Sequence, residues 1–187
     1  MRLLLIAVMV AVSAPAYAQE TLTHRVLATS KTSTMQKEMQ EAGDAGFRYA
    51  AVMGGETAIG GKEVVVVMQK AAASAAKFEY RLLATSKTST LQKEMQEASD
   101  AGFQYVGQTV FESLLGGQEV VSILERNPAA PGPKYDYRLM ATNKTSTMEK
   151  ELKEAGDAGY EVVGMTIGKT LLGGKELVTI TRRKVAQ

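Results

Sequence analysis

The sequence predicts an α+β protein built from three tandem βαββ units, each a three-stranded, mainly antiparallel sheet in the order 1-3-2 with one helix on one face. Three observations carry that expectation. First, Arg25 to Lys70, Arg81 to Arg126 and Arg138 to Arg183 align without a gap, so the chain repeats and the fold is read per unit. Second, each unit holds a stripe of apolar residues at steps of four and three, the helical period, between runs rich in aromatic and β-branched residues. Third, a glycine pair separates the second such run from a third, which is a hairpin signal because both central residues of a type I′ turn need positive φ.

The elements follow in chain order. Val26-Leu27-Ala28, Leu82-Leu83-Ala84 and Leu139-Met140-Ala141 are the short apolar runs of a first strand. The loop ATSKTST, or ATNKTST in the third unit, leads into a helix whose stripe is Met35, Met39 and Ala42, repeated as Leu91, Met95 and Ala98 and as Met148, Leu152 and Ala155. Asp-Ala-Gly ends each helix, so Gly46, Gly102 and Gly159 supply the left-handed position past the terminus, and Phe47, Phe103 or Tyr160 closes the apolar contact of a Schellman ending. Strand-like runs follow at 47–53, 103–111 and 160–167. After the glycine pairs Gly60-Gly61, Gly116-Gly117 and Gly173-Gly174, the last strand resumes at Glu63, Glu119 and Glu176. The last run, VVVVM in the first unit, is the most continuously apolar and is expected at the centre of its sheet.

The helix covers one sheet face, and the other face still carries apolar side chains. A unit of this size buries too little surface to be stable alone. The three open faces are therefore expected to pack together, with pseudo-threefold symmetry as one arrangement. The units are expected at 19–70, 80–126 and 137–183, with connectors 71–79 and 127–136 and a tail 184–187; the second connector, NPAAPGPKYD, is proline-rich and reads as a semi-rigid spacer.

Residues 1–18 read as a secretory signal peptide. Arg2 precedes an apolar run from Leu3 to Val12, and Ala16-Tyr17-Ala18 supplies an A-x-A site, placing cleavage after Ala18. The run is shorter than the roughly 20 residues a membrane helix needs, so no integral membrane segment is expected once the signal is removed. The protein is expected to be exported, periplasmic or extracellular. It has no cysteine, so disulfides contribute nothing and burial must hold the fold. Lys and Arg number 22 against 20 Asp and Glu, a formal net charge of +2, and removal of Arg2 lowers it by one. That balance gives no clustered basic field for nucleic acid or anionic membrane.

The stretch from Leu152 to Val163, Leu-x-x-Ala-Gly-x-Ala-Gly-Tyr-Glu-Val-Val, resembles the motif of a family of small bacterial βαββ domains of unknown function, in which a helix ends in Gly-Trp or Gly-Tyr and enters a strand. The resemblance covers the helix and second strand of each unit. It implies the fold and adds no catalytic residues; Phe or Tyr stands here where many relatives carry Trp.

The repeated loop is the main candidate for chemistry. Ser33, Ser89 and Ser146 stand three residues before Gln36, Gln92 and Glu149, the spacing of a capping box, and are expected as helix N-caps. The cap leaves Lys31, Thr32 and Thr34 unexplained, with Lys87, Thr88, Thr90, Lys144, Thr145 and Thr147. A lysine and several hydroxyls at a helix N-terminus can hold a phosphate or carboxylate, but no Gly-x-x-x-x-Gly-Lys pattern accompanies them. The helix carboxylates, Glu38, Glu41 and Asp44 with their counterparts, interleave with lysines and read as a solvated face. Glu63, Glu119 and Glu176 would approach a calcium site only if threefold packing gathered them.

One histidine, His24, and no thiol exclude histidine-based zinc sites and triads. The methionines at the helix stripe read as core. No cofactor, no metal and no catalytic set is expected. The sequence therefore points to an exported, non-enzymatic binding or structural protein, with a protein partner pairing at an exposed strand edge. The alternatives are an anionic small ligand at the Lys-Thr-Ser-Thr loops and an unrecognised hydrolase.

Overall fold

In the computed structural model, residues 21–57, 61–112, 118–169 and 175–185 are described. The leader and the turns between the second and third strands of each unit lie outside them. The first unit consists of β1 (Leu22–Thr29), α1 (Thr32–Asp44), β2 (Arg48–Thr57) and β3 (Gly61–Ala71). The second has β4 (Glu79–Thr85), α2 (Thr88–Asp100), β5 (Gln104–Glu112) and β6 (Gln118–Arg126), and the third β7 (Tyr135–Thr142), α3 (Thr145–Asp157), β8 (Glu161–Lys169) and β9 (Lys175–Lys184). The strand orders are β1-β3-β2, β4-β6-β5 and β7-β9-β8, every pairing antiparallel. Three α+β units in tandem, each with its last strand central, are thus the architecture of the chain.

The helix endings form because glycine tolerates the left-handed backbone that a terminal reversal needs. Gly46, Gly102 and Gly159 have φ of 87°, 87° and 82°. At the first, the Phe47 amide donates to the Ala42 carbonyl (2.9 Å) and the Gly46 amide to the Gly43 carbonyl (2.9 Å), the two bonds of a Schellman motif. A basic side chain from the end of the central strand then donates to a further helix-end carbonyl: Lys70 to Ala45 (2.7 Å), Arg126 to Ala101 (2.7 Å) and Arg183 to Ala158 (3.1 Å). Cations there also oppose the negative end of the helix dipole.

Each second strand carries a bulge at one place, between Tyr49 and Ala51, Tyr105 and Gly107, and Val162 and Gly164. The extra residue of a bulge is re-aimed out of the sheet's alternation. Val106 consequently packs against the core of the first unit, and Val163 against that of the second, whereas Ala50 is exposed.

The packing is serial. One buried cluster joins Met35, Met39, Ala42, Val64, Val66 and Met68 of the first unit to Phe78, Tyr80, Val121 and Ile123 of the second. Another joins Leu91, Met95, Ala98 and Leu124 of the second unit to Tyr137 and Ile180 of the third. Val121 and Ile123, like Ile180, lie on the sheet face that the unit's own helix leaves bare, so the open faces of the second and third units close on the unit before them. The main packing joins first to second and second to third, and the result is a linear array. A threefold closure would have buried the open faces of all three units, and Val26 and Met53 on the first remain 65% and 58% exposed.

Candidate functional site

The helices begin at Thr32, Thr88 and Thr145, and the boundary residues are Lys31, Lys87 and Lys144, in extended conformation with no side-chain capping bond. Ser33, Ser89 and Ser146 therefore sit inside the first turn and are not the N-caps that the spacing predicts. The physical reason lies one step upstream. The hydroxyls of Thr29, Thr85 and Thr142 accept from the amides of Lys31 (3.2 Å), Lys87 (3.1 Å) and Lys144 (3.2 Å). Such hydroxyl turns redirect the chain and start the helix before the serine can cap it. The first threonine of each loop is thus the local structural determinant that capping-box logic passes over.

The remaining loop residues do not converge. Lys31, Lys87 and Lys144 are exposed; Thr32, Thr34, Thr88 and Thr90 are half-buried, and Thr145 and Thr147 are exposed. One small cavity, between the second and third units, takes in Lys87 and Thr88 beside Glu119 and Glu176. Another, between the first and second, takes in Thr32 and Ser33 beside Leu82 and Glu94. Each holds a single loop. At α2 the Thr88 hydroxyl donates to the Glu176 carboxylate (3.3 Å), so a carboxylate of the third unit stands where a bound anion would meet this helix. Among the described residues no three His, Cys, Asp or Glu side chains gather as a metal-binding group.

A different feature of the same helices organises the molecule. Gln36 donates through Nε2 to the Tyr80 carbonyl (2.6 Å) and accepts through Oε1 from the Leu82 amide (2.6 Å). One turn on, Gln40 accepts from the Tyr80 amide (3.1 Å) and donates to the Phe78 carbonyl (3.4 Å). Two side-chain amides thereby satisfy four backbone groups on the outer edge of β4, as a neighbouring strand would. The second junction repeats this: Gln92 bonds the Tyr137 carbonyl and Leu139 amide (both 2.6 Å), and Gln96 the Tyr137 amide (3.1 Å) and Tyr135 carbonyl (3.3 Å). Three residues past Gln40, Gly43 is buried, and any Cβ there would overlap the Phe78 carbonyl. The matching Ser99 is buried too, its hydroxyl donating to the Tyr135 carbonyl (2.7 Å).

The sheets lock at the bulges. The Tyr80 hydroxyl accepts from the Tyr49 amide (2.8 Å) and the Tyr137 hydroxyl from the Tyr105 amide (2.9 Å). Tyr80 also donates to buried Glu125 (2.8 Å), whose carboxylate accepts from Arg48 Nε (2.8 Å). Burial raises the phenol pKa of Tyr80, Tyr105 and Tyr137 above the usual value, with the Glu125 charge adding to the rise at Tyr80. These hydroxyls stay protonated at neutral pH, and those of Tyr80 and Tyr137 serve as structural hydrogen-bonding groups. A groove of about 350 Å³ opens at the first junction beside Arg48, Gln104 and Arg126.

The two ends of the array differ from its junctions. On β1 the positions matching Tyr80 and Leu82 are His24 and Val26, both exposed, and among the described residues no side chain bonds its outer edge. On α3 the glutamine positions are Glu149 and Lys153, both exposed, and Val162, Met165 and Ile167 on β8 are 56%, 62% and 52% exposed. No helix among the described residues is long and apolar enough to cross a membrane. No protein-family model, no curated protein and no solved structure matches the chain.

Proposed function

We propose that this is an exported, non-enzymatic binding protein whose working surface is the outer edge and open face of the first unit, and that its partner is another protein. The observation that supports this reading is the contrast among the three first strands. Tyr80 and Tyr137 are buried at 3% and 2% exposure, while Val26 on β1 is 65% exposed. An uncovered strand edge with apolar neighbours on the same sheet face is a ready site for association, because its backbone groups and side chains both lack partners. Secretion through the leader at 1–18, and kinship with the small βαββ family that the helix ending resembles, belong to the same proposal.

The test is a photo-crosslinking amino acid at position 26 in the expressing cell, followed by mass spectrometry, with the same probe at the exposed position Lys150 as control. A distinct protein adduct from position 26 alone is expected. Recovery of uncrosslinked protein only, under conditions that capture other exported complexes, removes the reading.

A further inference from the structure

We infer that the partner segment that covers β1 is a helix carrying glutamines at positions i and i+4 and a small residue at i+7, and that a second copy of this chain is not that partner. The inference rests on the reading of β1 as the working edge. Its basis is that the same edge is met twice within the chain, both times by the same device. At β4 it is Gln36, Gln40 and Gly43; at β7 it is Gln92, Gln96 and Ser99. These three positions share one helical face. Each preceding residue, Met35, Met39, Leu91 or Met95, is buried in the junction core.

A glutamine amide suits the edge because it offers a donor and an acceptor together, matching the carbonyl and amide that alternate there. Among the described residues no strand pairs with this edge at either junction, so the internal precedent is for a helix. β1 presents the same set of backbone groups, on Leu22, His24 and Val26, beside the open face formed by Val26, Val65, Val67 and Met53.

Among the described helices a second copy could offer only α3, since α1 and α2 are occupied by β4 and β7. Its small residue persists as Gly156, with open space around it, but its glutamines have become Glu149 and Lys153. An ionised carboxylate cannot donate to the His24 carbonyl, and an ammonium cannot accept from the His24 amide. Lys153 is moreover held by Asp157 (2.6 Å). Half of the four bonds are lost, and association that leaves backbone groups unpaired is penalised. Those two charges stop the array at three units and leave β1 for a different chain.

The test restores the glutamines. The E149Q/K153Q variant of the mature chain, followed by sedimentation velocity, is expected to self-associate head to tail at least ~10-fold more tightly than the parent, from two regained hydrogen bonds. Adding Val26→Lys is expected to abolish the gain. Both α3 sites and Val26 are exposed, and circular dichroism checks that each variant keeps the fold. Sedimentation of E149Q/K153Q identical to the parent overturns the inference, as does a gain that survives Val26→Lys. A parent that already associates as tightly through Val26 makes the second copy the occupant and overturns it too. If position 26 captures a protein whose crosslinked segment lacks paired glutamines, the helix inference fails and the binding edge stands; if position 26 captures nothing, the edge itself fails.

Discussion

The Tyr80 hydroxyl, from the second unit, accepts the backbone amide of Tyr49, at the bulge of the first, at 2.8 Å. A bulge leaves an amide without its ladder partner, and a side chain from the next repeat fills the vacancy. Tyr80→Phe is expected to lower stability at pH 7 by about 1–3 kcal/mol, because it leaves that amide only its longer bond to the Glu125 carboxylate (3.3 Å) and removes a donor to the same buried group. Urea unfolding checks the value.

The same phenols set an alkaline limit. Burial holds the folded pKa values of Tyr80 and Tyr137 above the usual phenol value of about 10, so the folded state favours the protonated form. That contribution is complete below pH 10 and is lost as pH rises toward the folded values, because the unfolded chain ionises first. Thermal melts are expected to be flat in the phenol contribution up to about pH 9 and to fall beyond about pH 10. The fall should be shallower in Tyr80→Phe; an equally steep fall would remove Tyr80 as a source.

At the first junction, Gln36→Glu imports the residue of the third unit. It keeps an acceptor for the Leu82 amide and loses the donor to the Tyr80 carbonyl, so a cost of about 1–3 kcal/mol is expected. Gln36→Leu, which loses both bonds, should cost at least as much. Hydrogen exchange at Leu82 should accelerate more in the leucine variant, since only there does this amide lose its acceptor.

Two glycines at equivalent helix positions should respond with opposite sign. Gly43→Ala forces a methyl into the Phe78 carbonyl, whereas a Cβ at Gly156 meets nothing within 4 Å. Gly156→Ala is therefore expected to stabilise by about 0.5–1 kcal/mol through helix propensity. Gly43→Ala is expected to destabilise by about 1–3 kcal/mol through overpacking. Paired melting curves distinguish the two, and equal shifts would contradict the serial docking of the units.

Ser122 is fully buried with no hydrogen-bond partner for its hydroxyl, and the matching residue of the first unit is buried Val66. Ser122→Val removes an unsatisfied polar group and adds apolar contact. A gain of about 1 kcal/mol is expected, read as a higher urea midpoint with unchanged slope.

Much of this was legible in the letters. Periodicity placed all three helices, the Asp-Ala-Gly-aromatic ending placed their stops, and the apolar run Val64 to Met68 placed the central strand. Those features are local, and each is dictated by backbone geometry within a few residues. The loop was read less well: a capping box was expected at Ser33, yet Thr29 turns the chain first, and two valid local signals overlapped in one short stretch. The capping-box reading assigns Gln36 to its own helix terminus and gives Gln40 no role, because their partners, Phe78, Tyr80 and Leu82, lie outside the unit that carries the helix. Nothing within the helix distinguishes an amide that faces water from one that faces a distant strand edge.

By itself, then, the sequence determined the repeat, the βαββ unit and its sheet order, because these follow from spacing, chirality and turn chemistry inside each repeat. Only the tertiary structure decided that the units dock in series, since that depends on which open face meets which helix. The same docking gave meaning to differences that the alignment shows only as letters. Tyr80 and Tyr137 are buried plugs while His24 is exposed, and Gln36 and Gln92 are clasps while Glu149 is an end, because a side chain's role is fixed by the partner that burial brings to it.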